Sequence, residues 1–227
     1  RMRSDFVANA SHELRTPLAS LRGFIETMQG PARKDEAARE KFLGIMLEQV
    51  TRMSRLVDDL LSLSRLELKS KIAPDGVVDL ASVISSVAAS LGPLAKDLGV
   101  TIHLDLPAYP VRVTGERDEL TEVFENLIEN ACKYGQSGGH VDVRMTGGAP
   151  EQSGPVEVAV TDHGPGIPED QVPRLTERFY RVNVEHSKSK KGTGLGLAIV
   201  KHILTRHRAS LVIRSELGKG STFTVRF

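Results

Sequence analysis

The sequence predicts an α+β chain in two parts, an N-terminal helical hairpin and then a domain in which one layer of helices covers a mixed sheet. Three observations carry this. Apolar residues recur in steps of three and four through most of residues 1–68. Residues 69–76, with Pro74-Asp75-Gly76, interrupt that period and read as a linker. In residues 77–227, short β-rich runs are interspersed with helical patterns.

Composition bounds the possibilities. At 227 residues, 40% hydrophobic and 26% charged, the chain has room for two compact units and fits neither a disordered nor a fibrous class. Thirty basic residues against 29 acidic ones leave a net charge of +1, so no global field points to nucleic acid or to a membrane surface. The single cysteine, Cys132, excludes an internal disulfide and a thiolate metal cage, and suits a reducing compartment. No run of 18 or more apolar residues occurs, and Arg1-Met2-Arg3-Ser4 does not read as a signal peptide. The natural protein is expected to continue upstream.

In the hairpin, Val7, Ser11, Leu14, Leu18, Leu21, Ile25 and Met28 follow coiled-coil spacing. After Gly30-Pro31 the same steps return at Phe42, Met46, Gln49, Met53, Leu56, Leu60 and Leu63, with a second stripe at Leu43, Leu47, Val50, Val57 and Leu61. Two helices cannot cover that much apolar surface between themselves, which predicts a dimeric four-helix bundle; the alternative is a hairpin packed on its own second domain. His12 falls outside the seam. Thr16 lies one turn on, with Glu13 beside the histidine, and Pro17 should bend the helix by removing an N–H and crowding the carbonyl of Glu13. By itself this segment suits a surface helix with a lone histidine.

Past the linker the expected elements are a strand at 77–80, a helix at 81–98, strands at 100–106 and 111–114, and a helix at 116–134. Strands at 140–145 and 156–161 follow, then a loop-rich stretch, a helix at 195–206 and a terminal strand pair at 211–215 and 221–227. The stretch 147–154 reads as a surface loop.

Three blocks in this domain carry chemistry. Asn126, Asn130 and Lys133 share one side of a helix whose Leu127, Ile128 and Ala131 face elsewhere. An asparagine carbonyl suits Mg²⁺, and a lysine one turn on suits a phosphate oxygen. Asp162-His163-Gly164-Pro165-Gly166-Ile167 follows a strand directly, where glycines admit a flat ligand and a carboxylate can accept from an exocyclic amino group. Gly192-Thr193-Gly194-Leu195-Gly196-Leu197 opens a helix after Lys188, Lys190 and Lys191, an arrangement suited to phosphate. The spacing is not that of a dinucleotide fingerprint or of a Gly-Lys-Ser/Thr loop.

Together with Glu177-Arg178-Phe179-Tyr180-Arg181 and Gly218-Lys219-Gly220-Ser221-Thr222-Phe223, these blocks resemble the cytoplasmic core of bacterial sensor histidine kinases. His12-Glu13-Leu14-Arg15-Thr16-Pro17-Leu18 resembles the phosphoacceptor box, and the later blocks resemble the asparagine, first-glycine, phenylalanine, second-glycine and third-glycine boxes in the family's order. Asp5-Phe6-Val7-Ala8-Asn9 further resembles the phosphate-regulon sensor subgroup.

The resemblance implies a Bergerat-type α/β sandwich that binds ATP with Mg²⁺, behind a dimerising hairpin. It implies Asn130 as the Mg²⁺ ligand, Asn126 and Lys133 on the phosphates, Tyr134 against the nucleotide and Asp162 on the adenine amino group. Gly164, Gly166 and Ile167 would shape the adenine pocket, supported by Thr222. Gly192, Thr193, Gly194, Leu195 and Gly196 would form a lid over the phosphates, anchored on the hairpin by Phe179. Gly135 departs from the family, which often has Ser or Thr after Lys-Tyr. His12 would take the γ-phosphoryl group, with Glu13 as general base and Thr16 positioning a water for phosphatase action on the partner, a response regulator. The full-length protein would be anchored in the bacterial inner membrane, with this part cytoplasmic. The competing readings are an ATP-driven clamp or chaperone relative of the same ATPase superfamily, with Glu122 or Glu129 activating water, and a non-catalytic dimerisation scaffold.

Overall fold

The computed structural model describes residues 2–149, 154–182 and 192–227. Helix α1 (Met2–Gln29) runs through the buried Pro17 without interruption, and a turn leads to α2 (Glu36–Lys69). Asp35 caps α2 by accepting the Ala38 N–H at 2.9 Å. Near the turn, Phe24 and Phe42 close the hairpin with ring centroids 5.2 Å apart. The seam of α1 divides. Leu14, Leu21 and Met28 turn partly inward, whereas Val7, Leu18 and Ile25 stay exposed beside Leu43, Leu47, Val50, Val57 and Leu61 of α2.

The stretch after α2 crosses to the second part without helix or strand, and Arg206 ties it down by donating to the Ile72 carbonyl at 2.8 Å. There β1 (Val77–Asp79) and β3 (Arg112–Thr114) form a small antiparallel ribbon. The main sheet comprises β2 (Thr101–Asp105), β4 (His140–Thr146), β5 (Glu157–Asp162), β6 (Ser210–Glu216) and β7 (Gly220–Arg226), in the order β2-β4-β5-β7-β6. Only β2 and β4 are parallel.

The helix expected at 81–98 is two. α3 (Leu80–Ser90) ends at Leu91, and α4 (Gly92–Asp97) starts with Pro93 in its first turn. Proline has no N–H to continue the ladder and would crowd the carbonyl of Ala89, so the break follows from one residue. α5 (Arg117–Tyr134) and α6 (Gly196–Arg206) complete the helical layer. α5 carries Asp118 and Glu119 in its first turn and Lys133 in its last, matching the helix dipole.

The core lies between this layer and one sheet face. Phe124, Leu127 and Ile128 of α5, Ile199 and Ile203 of α6, and Val141, Val143, Val158, Val160 and Val225 of the sheet are buried together. Leu56, Leu63 and Leu66 of α2 belong to the same cluster, so the hairpin packs directly on the second part. Buried His207 ties the end of α6 to the start of α5: its Nδ1–H donates to the Ile203 carbonyl at 2.8 Å, and its Nε2 accepts the Glu116 N–H at 3.0 Å. Burial pushes its pKa down, in keeping with this neutral tautomer. No helix among the described residues is long and apolar enough to cross a membrane.

Candidate active site

A cavity of about 340 Å³ opens between α5, the end of β5, the start of α6 and the flank of α2. α5 builds one wall. Its buried face is apolar, so Asn126, Asn130 and Lys133, spaced by four and three, fall together on the cavity side, joined by Tyr134. The Nδ2 amide of Asn126 donates to the Glu122 carbonyl at 2.9 Å, which turns Oδ1 toward Gly196. A Cβ at Gly196 would lie 2.4 Å from that oxygen, so α5 and α6 approach this closely only over a glycine. Glu129 pairs with both Lys133 and Arg55, the latter at 3.2 Å.

The floor is the end of β5. Asp162 is buried, and its Oδ1 accepts the Gly164 N–H at 3.0 Å. A Cβ at Gly135 would stand 2.5 Å from the Asp162 Cβ, so the glycine that departs from the family pattern is what lets this chain's α5 end against the aspartate. Behind the floor, the Thr161 and Thr222 hydroxyls are 3.0 Å apart. Thr222 therefore touches the strand that carries Asp162 and does not line the cavity.

Gly166, Ile167, Gly192, Thr193, Gly194 and Gly196 all line the cavity. Gly164 sits beneath it, where a Cβ would lie 2.4 Å from the Tyr134 carbonyl oxygen. Leu195 is fully buried in the core, because an apolar side chain entering α6 packs inward; its N–H is directed to Thr193 Oγ1 at 3.3 Å. No side chain among the described residues caps the first turn of α6, which leaves its N–H groups directed at the cavity end. Lys188, Lys190 and Lys191 lie outside the described residues.

Two features had no sequence signal. Arg55 and Asp59 of α2 line the cavity, and Thr193 donates a hydrogen bond to Asp59. They carry no motif, and only the docking of α2 puts them there. Burial pushes the Asp59 carboxyl up despite the Thr193 hydrogen bond and Arg55, and burial likewise raises Glu122 and Glu125. The second feature is Phe6. Phe179, held in a left-handed conformation at φ 63° with its N–H on the Gly194 carbonyl at 2.8 Å, packs against Phe6 of α1 at 6.1 Å between centroids. Arg178 lies over the same ring at 5.0 Å and pairs with Glu67 of α2.

The acceptor-box residues lie elsewhere. His12 and Thr16 are exposed on α1, and the Thr16 hydroxyl donates to the His12 carbonyl at 3.2 Å. Glu13 turns toward the hairpin interior and pairs with Arg52 at 3.3 Å. None of the three lines the cavity.

Two family models match the chain. Residues 2–69 match the His Kinase A (phospho-acceptor) domain, and residues 115–227 match the histidine kinase-, DNA gyrase B- and HSP90-like ATPase. The chain belongs to the sensor histidine kinases. It is 41% identical, over its whole length, to the phosphate regulon sensor protein PhoR of Pseudomonas aeruginosa, covering 50% of that protein. It is 35% identical over 99% of its length to the sensor protein kinase WalK of Staphylococcus aureus, covering 53%. The chain thus spans about half the length of these curated relatives. Among solved structures, the histidine kinase AdeS of Acinetobacter baumannii matches 95% of this chain and 96% of its own, with a TM-score of 0.72 at 26% identity. The histidine kinase ThkA, solved in complex with the response regulator protein TrrA, shares the fold over 98% of this chain and 60% of its own, with a TM-score of 0.76 at 20% identity.

Proposed function

We propose that this sensor histidine kinase core phosphorylates itself on His12 from Mg-ATP and hands the phosphoryl group to an aspartate of a response regulator. The observation that carries this reading is the convergence of Asn126, Asn130, Lys133, Tyr134, Asp162 and the glycines of two loops on one cavity flanked by the acceptor hairpin. Its volume suits a nucleotide-sized ligand. The buried carboxylate of Asp162 supports its role as acceptor for the adenine amino group, and the uncapped start of α6, with Gly194 and Gly196, supports phosphate binding there. Asn130 and the carboxylates around it supply the hard oxygen ligands that Mg²⁺ prefers. The ion would offset charge on the phosphates; Lys133 and the α6 amides hold the phosphates in place.

On α1, His12 accepts phosphate as a neutral imidazole, because a protonated ring has no free lone pair. Glu13, tethered by Arg52, receives the ring proton as general base. Thr16 serves the reverse activity by positioning water for regulator dephosphorylation. Arg52, at the level of Glu13, is only seven residues from Asp59, about 10 Å of axial rise along α2, so a sliding or swinging of the second part along the hairpin brings the two sites together.

The domains are 1–68 for the hairpin, 69–76 for the linker and 77–227 for the ATP-binding part, and the exposed apolar stripe of α1 and α2 pairs with a second copy. The whole protein is anchored in the bacterial inner membrane, with this part on the cytoplasmic side and a phosphate-responsive regulon as its output class.

Incubation with labelled Mg-ATP tests the reading. An acid-labile, alkali-stable phosphoprotein is expected, abolished in His12→Ala while ATP binding persists. Turnover without phosphoprotein, or label on another residue in the variant, overturns it in favour of an ATP-driven clamp.

A further inference from the structure

On the sheet face that the helices leave open, three imidazoles surround one carboxylate. Strand register brings them together. His140 and Asp142 are two residues apart on β4 and share a face, opposite the buried Val141 and Val143. β2 runs parallel with His103 directly across from Asp142. β5 runs antiparallel with Asp162 across from Val141, which sets His163 at the level of His140.

The contacts are close. His163 Nε2 lies 2.8 Å and His140 Nε2 3.7 Å from Asp142 Oδ2, while His103 Nδ1 lies 3.2 Å from Oδ1. The His140 and His163 rings stack with centroids 4.2 Å apart. The His140 Nδ1–H donates to the Gly138 carbonyl at 3.0 Å, which leaves the Nε2 lone pair facing the cluster. A Cβ at Gly138 would lie 2.5 Å from the His163 Cβ, so a glycine is what admits His163 to the group.

We infer that His140, Asp142 and His163 form a binding site for a divalent transition-metal ion, Zn²⁺ foremost, with His103 holding the other carboxylate oxygen of Asp142. One ligand atom from each of the three lies within 4.8 Å of the others. Zinc bonds of roughly 2.0–2.2 Å in a tetrahedron place ligand atoms about 3.3 Å apart, so small rotamer adjustments suffice. Two imidazoles with one carboxylate suit borderline ions; Mg²⁺ and Ca²⁺ prefer all-oxygen sites, and the soft-ion ligand, Cys132, is buried elsewhere. The site is separate from the nucleotide cavity, since Asp162 points into the cavity and its neighbour His163 onto the opposite face. An ion here would cross-link β4 to the strand end that carries Asp162, stiffening the cavity floor from behind.

Zinc titration of chelator-treated, dialysed protein tests this independently of any kinase activity. One equivalent is expected to bind, raising the melting temperature by roughly 5–10 °C at a hundredfold excess over Kd. His140→Ala and Asp142→Asn should each weaken binding by at least about tenfold and cut the melting shift at the same zinc concentration to about half or less, whereas His12→Ala retains it and Mg²⁺ does not compete. In wild-type protein, the ring resonances of His103, His140 and His163 should move on adding one equivalent. An isotherm unchanged in the Asp142→Asn/His140→Ala double variant, no binding at sub-millimolar zinc, or movement confined to the remaining histidines overturns the proposal.

Discussion

Leu61 and Leu63 sit two residues apart on α2, yet Leu61 is 55% exposed and Leu63 is fully buried. Leu63 belongs with Leu56 and Leu66, which pack on α5 and α6 in the core of the second part. Leu61 belongs with Leu43, Leu47, Val50 and Val57, a stripe left open along the bundle. Both stripes are apolar and helically spaced. One is covered within the chain, and the other stays exposed along the helix. The hairpin therefore serves two partners from two sides: its own ATP-binding part and, as proposed, a second hairpin.

The largest effect that can break this contrast is a core truncation. Leu63→Ala should cost about 2–5 kcal/mol in urea unfolding, while Leu61→Ala costs far less in the same assay at monomer concentrations. Equal costs would erase the distinction. On the open side, Leu47→Glu with Leu61→Glu should weaken dimerisation at least about 100-fold by sedimentation, because each substitution counts twice across a symmetric interface. An unchanged oligomeric state would mean that the stripe pairs with something else.

The docked side can also be sharpened. Arg178 and Glu67 pair across it, and if docking must loosen before His12 is reached, Glu67→Ala should raise the initial rate of self-phosphorylation about fivefold, the scale of one partly exposed ion pair. A slower rate would make the docked arrangement the productive one. The smallest effect concerns Glu122, whose Oε1 accepts from Ser62 Oγ at 2.7 Å. Burial raises its carboxyl, so the folded state favours its protonated form; that stability is present at low pH and lost as pH rises through the raised value. Glu122→Gln has nothing to lose there, and should melt roughly 1–2 °C above wild type at neutral pH, allowing for partial exposure, with the gap closing under acid.

Much of this was legible locally. The hairpin, the strand and helix order, and the positions of Asn126, Asn130, Lys133, Asp162 and the glycines before α6 follow from period and from glycine placement, because both are set within a few residues of chain. The break at Pro93 was also readable in principle, since a proline inside a helical pattern removes a ladder donor. Arg55, Asp59 and Phe6 were not readable: nothing in their neighbours signals a cavity wall or an anchor for Phe179.

By itself, then, the sequence determined which segments coil, which strands form and which residue types could handle a phosphate, because those depend on short-range sterics and hydrogen-bonding capacity. Only the tertiary structure decided which apolar stripe of α2 is covered, which of its polar groups meet the cavity, and that three histidines, from β2, β4 and the residue just after β5, converge on Asp142. Those outcomes depend on docking and strand register, which couple residues far apart in the chain and leave no periodic trace in it.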